Sequence, residues 1–189
     1  MYEIKKGVKN KMSITVVIVD LEATCEQIKD PRYISEIIEI GAVKIVDGKI
    51  VDKFAIFVKP TIHPILSDFC KELTSITQED VDNGEDRKTA LMNFREFCKD
   101  TDVILSWGMY DRNQLGKECS RHGIEVNWLK RHRNLKEEFS LLLGREKQYG
   151  MAKALSIAGL KLDGTHHRGI DDATNIGKIY IKYKDQWPF

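Results

Sequence analysis

Apolar residues along this chain fall into a few dense runs. The densest, residues 14–19, is interrupted only by Thr15. A run without alternation predicts a central strand buried on both faces, because a half-buried strand would alternate. Residues 36–46 and 49–58 form two further runs that flank Asp47-Gly48. That pair tolerates positive φ at both positions of a two-residue hairpin turn, so three strands open the fold and at least two are antiparallel. Pro60 and Pro64 close the third strand. Residues 66–73 read as a short helix, and Thr77 as the cap of another. Leu91, Phe94, Phe97 and Cys98 recur at three-and-four spacing, which predicts a helix over residues 87–99. Residues 103–107 form a short strand of the buried type, followed by a helix over 112–122 that Gly123 stops. Residues 127–133 are basic and irregular, while 135–143 fit either an edge strand or a helix. Residues 151–158 and 170–184 complete the helices, the second with Ala173, Ile176, Gly177, Ile179, Tyr180 and Tyr183 on its inner face. There is no internal repeat.

At 189 residues the chain has room for one full hydrophobic core and not comfortably for two. One domain over residues 1–189 is expected, with its core at about 13–184. Hydrophobic residues at 42% and charged residues at 31% are ordinary for a globular protein and argue against disorder or a coiled coil. Lys plus Arg is 30 and Asp plus Glu is 29, so there is no global basic signature. A nucleic-acid partner would have to be attracted by local patches and bound metal. Cys25, Cys70, Cys98 and Cys119 form no C-x-x-C pair and no zinc-like grouping, which favours reduced thiols. Residues 1–12 are polar and lysine-rich, and the apolar run after them is too short for a signal peptide or a membrane span. The expectation is a soluble cytoplasmic protein with no membrane partner.

The chemistry is concentrated in carboxylates. Asp20 and Glu22 follow the densest run at a spacing of two, and in extended backbone residues i and i+2 point to the same side. Both therefore project from the strand's carboxyl end, where open α/β sheets place ligands. Neighbouring carboxylates repel, and a divalent cation between them keeps both ionised. A solvated strand end or a turn would also accept this pair. Asp111 again stands just beyond a strand end, after Ser106-Trp107-Gly108-Met109-Tyr110. Finally, Gly164-Thr165-His166-His167-Arg168-Gly169 delivers two histidines, then Asp171 and Asp172, to a helix start.

Five blocks in this order carry a resemblance: Val19 to Cys25; Ile37-Ile38-Glu39-Ile40-Gly41-Ala42-Val43; Leu73 to Gln78; Ser106 to Asp111; and Gly164 to Ala173. Together they resemble the DEDDh family of 3′-to-5′ exonucleases, especially the branch of KapD-type bacterial proteins and animal exonucleases that trim RNA 3′ ends. The resemblance covers residues 13–184. It implies an α/β, ribonuclease-H-like mixed sheet, an antiparallel hairpin plus parallel strands, flanked by helices. It places the family's catalytic residues on Asp20, Glu22, Asp111, His167 and Asp172, with the four carboxylates binding two divalent ions, Mg²⁺ or Mn²⁺. The His-x4-Asp spacing selects His167 with Asp172. His166 is then a loop residue packing or hydrogen-bonding nearby, and Asp171 a charge at a helix start.

Such a site suits metal-dependent release of nucleoside 5′-monophosphates from single-stranded ends, with His167 as general base on a glycine-flanked loop free to move onto substrate. By resemblance, Ala23 and Thr24 hold the terminal 3′ hydroxyl, and Leu73 and Thr74 touch its base. Tyr110 or Trp107 could stack on a base, and Trp107 is equally suited to core packing. Residues 130–133, Lys-Arg-His-Arg, could track phosphates or form a solvated face. RNA is favoured over DNA by the branch alone. The rival readings are a DNA proofreading or repair exonuclease and a silent nucleic-acid-binding module.

Overall fold

The computed structural model describes residues 13–28 and 30–189. The lysine-rich start, residues 1–12, lies outside the described residues, as does Lys29. A five-stranded sheet in the order β3-β2-β1-β4-β5 forms the middle layer. Its strands are β1 (Thr15–Ala23), β2 (Ile37–Val46), β3 (Lys49–Phe57), β4 (Val103–Ser106) and β5 (His132–Asn134). The pairs β1–β2 and β2–β3 are antiparallel, while β1–β4 and β4–β5 are parallel. This is the mixed sheet expected. Asp47 and Gly48 turn the hairpin with φ of 51° and 76°, the positive values that make Asp-Gly suitable there.

Helices cover both faces: α1 (Asp68–Thr74), α2 (Gln78–Asp82), α3 (Arg87–Phe97), α4 (Tyr110–Arg121), α5 (Leu135–Leu142), α6 (Met151–Ile157) and α7 (Gly169–Lys182). Strand β1 divides the core by its alternation. Val17, Val19 and Leu21 pack with Leu91 and Phe94 of α3 and Leu115 of α4. Val16 and Ile18 pack on the other side with Phe139 of α5 and Ile176 and Ile179 of α7. The even-numbered face of β1 is therefore the face that α7 covers, and it is the face on which Asp20 and Glu22 continue.

Three differences from the sequence reading matter for the site. Strand β1 runs on through Ala23, so the Asp-x-Glu lies inside a paired strand. Helix α4 begins at Tyr110, so Asp111 stands in its first turn rather than in a loop. In the basic stretch, a 3₁₀ turn (Asn127–Arg131) leads into β5, and the ambiguous segment after it is helix α5. Asn134 settles that ambiguity, because its side chain accepts the N–H of Glu137 and caps the helix. The four cysteines are free.

Candidate active site

Asp20, Glu22 and Asp172 bring ligand oxygens within 4.8 Å of one another. They come from β1 and from the first turns of α7, elements far apart in sequence that the shared face of β1 holds together. Asp111, in the first turn of α4, stands beside this group rather than within it: its carboxylate accepts the Leu21 N–H at 3.1 Å, which ties α4 to β1 between the two acidic positions. Asp111 and Glu22 are both buried.

Electrostatics follow from that crowding. Burial, then Asp111, Glu22, Asp172 and Glu39, push the Asp20 carboxyl well above its ordinary range. Burial, then Asp172, Glu39 and Asp111, raise Glu22 to about 9. Asp111 rises to about 6 by burial, held down by hydrogen bonds from Leu21, its own backbone and Ser106. Crowding thus favours the protonated forms of Asp20 and Glu22. An all-oxygen, strongly repelling set of this kind fits a hard divalent cation, so these groups could bind metal.

Both histidines lie beside Asp172 but in different ways. The His166 Nδ1 is 2.9 Å and 3.1 Å from the two Asp172 oxygens, so His166 hydrogen-bonds as the sequence reading allowed. His167 instead donates its backbone N–H to Asp172 Oδ2 at 3.0 Å and stacks its ring on that of His166, centroids 4.0 Å apart. Burial and the neighbouring His166 hold the His167 imidazole below its ordinary 6.5, against the pull of Asp172. A neutral imidazole is the form that accepts a proton. The loop is more tethered than its glycine flanks suggest. Asp171 accepts the Thr165 N–H at 2.8 Å, Asp172 takes His167, and Glu39 takes Gly169 N–H at 3.1 Å.

The expected substrate contacts divide. Ala23 ends β1, and Cys70 of α1 reaches its carbonyl at 3.7 Å, which brings α1 to the acidic strand end. Leu73 on that helix is 38% exposed and Tyr110 is 53% exposed, so both present surface to a ligand. Thr24 is buried, with its Oγ1 accepting the Glu36 N–H at 3.0 Å. Thr74 is buried too, its Oγ1 donating to Cys70 O and accepting from Ile76 N, so that hydroxyl is engaged within its own helix end. Trp107 takes the packing role: its ring lies against Phe139 and its Nε1 donates to Tyr149 O at 2.9 Å. In the basic run, Arg131 donates to the carbonyls of Cys98, Lys99 and Thr101, and the His132 ring meets Ser106 Oγ at 2.8 Å. Only Lys130 and Arg133 of the four are exposed.

Sequence reasoning gave no role to Glu39. It stands opposite Glu22 in the β1–β2 register and is 2% exposed. A carboxylate set between Ile38 and Ile40 was the clue available.

The sequence profile of the Exonuclease (RNase_T) family matches residues 17–180. The probable 3′-5′ exonuclease KapD of Bacillus subtilis is 30% identical over 169 residues, covering 88% of this chain and 82% of its own length. The human 3′-5′ exoribonuclease 1 is 29% identical over 179 residues; the match covers 88% of this chain and only 51% of that protein. Among solved structures, the nuclease domain of 3′hExo, described as a DEDDh family member bound to rAMP, superposes with a TM-score of 0.86 at 28% identity. That match covers 94% of this chain and 95% of the domain. Agreement of profile, relatives and fold over nearly the same span, around a carboxylate cluster with an adjacent histidine, means that the chain belongs to the exonuclease family, among its DEDDh 3′-to-5′ members.

Proposed function

We propose that this chain, as a single catalytic domain, removes nucleoside 5′-monophosphates one at a time from the 3′ ends of single-stranded nucleic acid, with RNA preferred over DNA. The observation that carries this reading is the convergence of Asp20, Glu22 and Asp172 within 4.8 Å beside a histidine whose imidazole is held neutral. Asp20, Glu22, Asp111 and Asp172 would hold two Mg²⁺ or Mn²⁺ ions, which when bound neutralise phosphoryl charge and acidify water.

The chain's own groups do the rest. His167 accepts the proton of the attacking water. Asp111, fixed by the Leu21 N–H, keeps its carboxylate aimed at the strand end. The exposed faces of Leu73 and Tyr110 offer apolar surface to the terminal bases, an arrangement suited to unpaired ends. The RNA preference is supported by similarity to the human exoribonuclease and to the rAMP-bound nuclease domain.

The test is a time course on matched RNA and DNA oligomers with open or blocked 3′ ends, in Mg²⁺, Mn²⁺ or chelator. Stepwise, metal-dependent shortening of open ends only, faster on RNA, is the expected result. Faster loss of DNA would reverse the substrate assignment, and tight binding without cleavage would move the chain to a binding role.

A further inference from the structure

Glu39 is the acidic residue the proposed chemistry does not use. Its side chain shares the α7-facing surface of β2 with Gly41, Val43 and Ile45, and it faces Glu22 across the strand pair. Like Asp111, it lies outside the group of Asp20, Glu22 and Asp172 whose ligand atoms lie within 4.8 Å of one another, and it differs from Asp111 in where its oxygens go. Its oxygens are turned to the histidine loop instead. Oε2 accepts from Arg168 Nε at 3.1 Å and from the Gly169 N–H at 3.1 Å, and Oε1 accepts from Arg168 Nη2 at 3.5 Å.

Two local facts explain why that clamp matters. The cap residue of α7 is Arg168, whose side chain makes no capping bond, so the first N–H of the helix is satisfied from another strand, by Glu39. The guanidinium is itself fixed over the Phe57 ring, 5.1 Å from its centroid. Below the clamp the backbones touch. A Cβ on Gly41 would lie 2.0 Å from Gly169 C, and one on Gly169 would lie 2.9 Å from Asp20 O. His167, immediately before the clamped pair, has φ of 65°, a left-handed conformation that a non-glycine residue holds only when its surroundings impose it.

We infer that Glu39, through Arg168 and Gly169, is a positioning residue that sets the place of the His167 imidazole, and that it is not a cation ligand. This rests on the function proposed above for the same site. A displacement of about 1 Å at a catalytic group costs up to about 100-fold in rate, so loosening this clamp acts on turnover rather than on substrate affinity.

The experiment compares Glu39→Gln and Arg168→Met, each alone and combined with His167→Ala, on an open-ended RNA oligomer, with the metal concentration for half-maximal activity measured for each. Arg168 is partly exposed and its replacement leaves Gly169 capped, so it tests the pair even if Glu39→Gln folds poorly. The expected result is a kcat lowered about 10- to 100-fold, KM within about twofold, an unchanged metal midpoint, and no further loss in the His167→Ala background. A shifted metal midpoint would make Glu39 a ligand. Losses that multiply in the His167→Ala background, or an unchanged kcat in both single variants, would overturn the positioning role. Failure of the unmodified protein to cleave any oligomer would instead remove the function on which the inference rests.

Discussion

Two adjacent histidines meet one aspartate in different ways, and the proposed function assigns the base to His167. His166 is engaged through its ring Nδ1 with the Asp172 carboxylate, whereas His167 touches Asp172 only through its backbone and keeps its imidazole nitrogens out of that contact. Replacing His167 with Ala should therefore lower kcat by about 10²- to 10⁴-fold, the usual worth of a general base, while His166→Ala stays within about 10-fold of the parent. The pH profile separates them further. A base works when neutral, and the His167 imidazole lies below its ordinary 6.5. As pH falls, its neutral form persists past the point where a free histidine would be protonated. The acid limb of kcat should thus lie below pH 6.5 in the parent and in His166→Ala, and disappear in His167→Ala. A limb above 6.5 would assign the titration to another group.

At the scale of elements, the strand end that carries the acids is held by a buried charge network. Arg87 of α3 pairs with Glu36 just before β2 at 2.8 Å and with Glu118 of α4 at 2.6 Å, all three being buried. Glu118 also accepts the Ile37 N–H at 2.7 Å, and Glu36 gathers the backbone N–H groups of Thr61, Ile62 and His63. Arg87→Met removes one cation and strands two carboxylates, so it should cost about 3 to 5 kcal/mol in urea unfolding. A cost below about 1 kcal/mol would show that the network relaxes or takes up water. Much of this scaffold was legible in sequence. Val and Ile runs gave the strands, Asp47-Gly48 gave the hairpin, and spacing gave α3 and α7. Strand β5 was hidden because its three residues are too few to show a period and are His, Arg and Asn. Asp20, Glu22, Asp111 and the His-x4-Asp were weak signals one by one and stood out only through the order of the five family-like blocks; the structure brings three of these carboxylates, Asp20, Glu22 and Asp172, together. The site was not legible where a polar group is already occupied, as with Arg131 on the carbonyls of the turn after α3 or Thr74 within its own helix end, because sequence names a donor without naming its acceptor.

For the whole molecule, the raised carboxylates couple folding, protons and metal. Glu22 sits at about 9 in the folded chain against an ordinary 4.5, and Asp20 is also raised, so the native state binds more protons than the unfolded one between these limits. That contribution favours folding fully below the unfolded value and is lost as pH rises toward 9. A divalent cation must displace those protons, and its binding adds stability through mass action. At a fixed metal concentration the gain in Tm should accordingly be larger at pH 8 than at pH 6, measured against the same buffer with chelator. A gain independent of pH would mean that the acids are already ionised without the ion. Among the described residues no helix is long and apolar enough to cross a membrane.

The distance along the chain between the parts of this cluster has a consequence for biosynthesis. Asp20 and Glu22 leave the ribosome early, but Asp172 belongs to α7, which must dock on β1 and β2 before the three carboxylates meet. A nascent polypeptide still tethered to its own message therefore lacks the assembled cluster until translation has passed the docking helix. Topology thus makes the assembled cluster a late product of synthesis, completed only when the helix that carries Asp172 has docked.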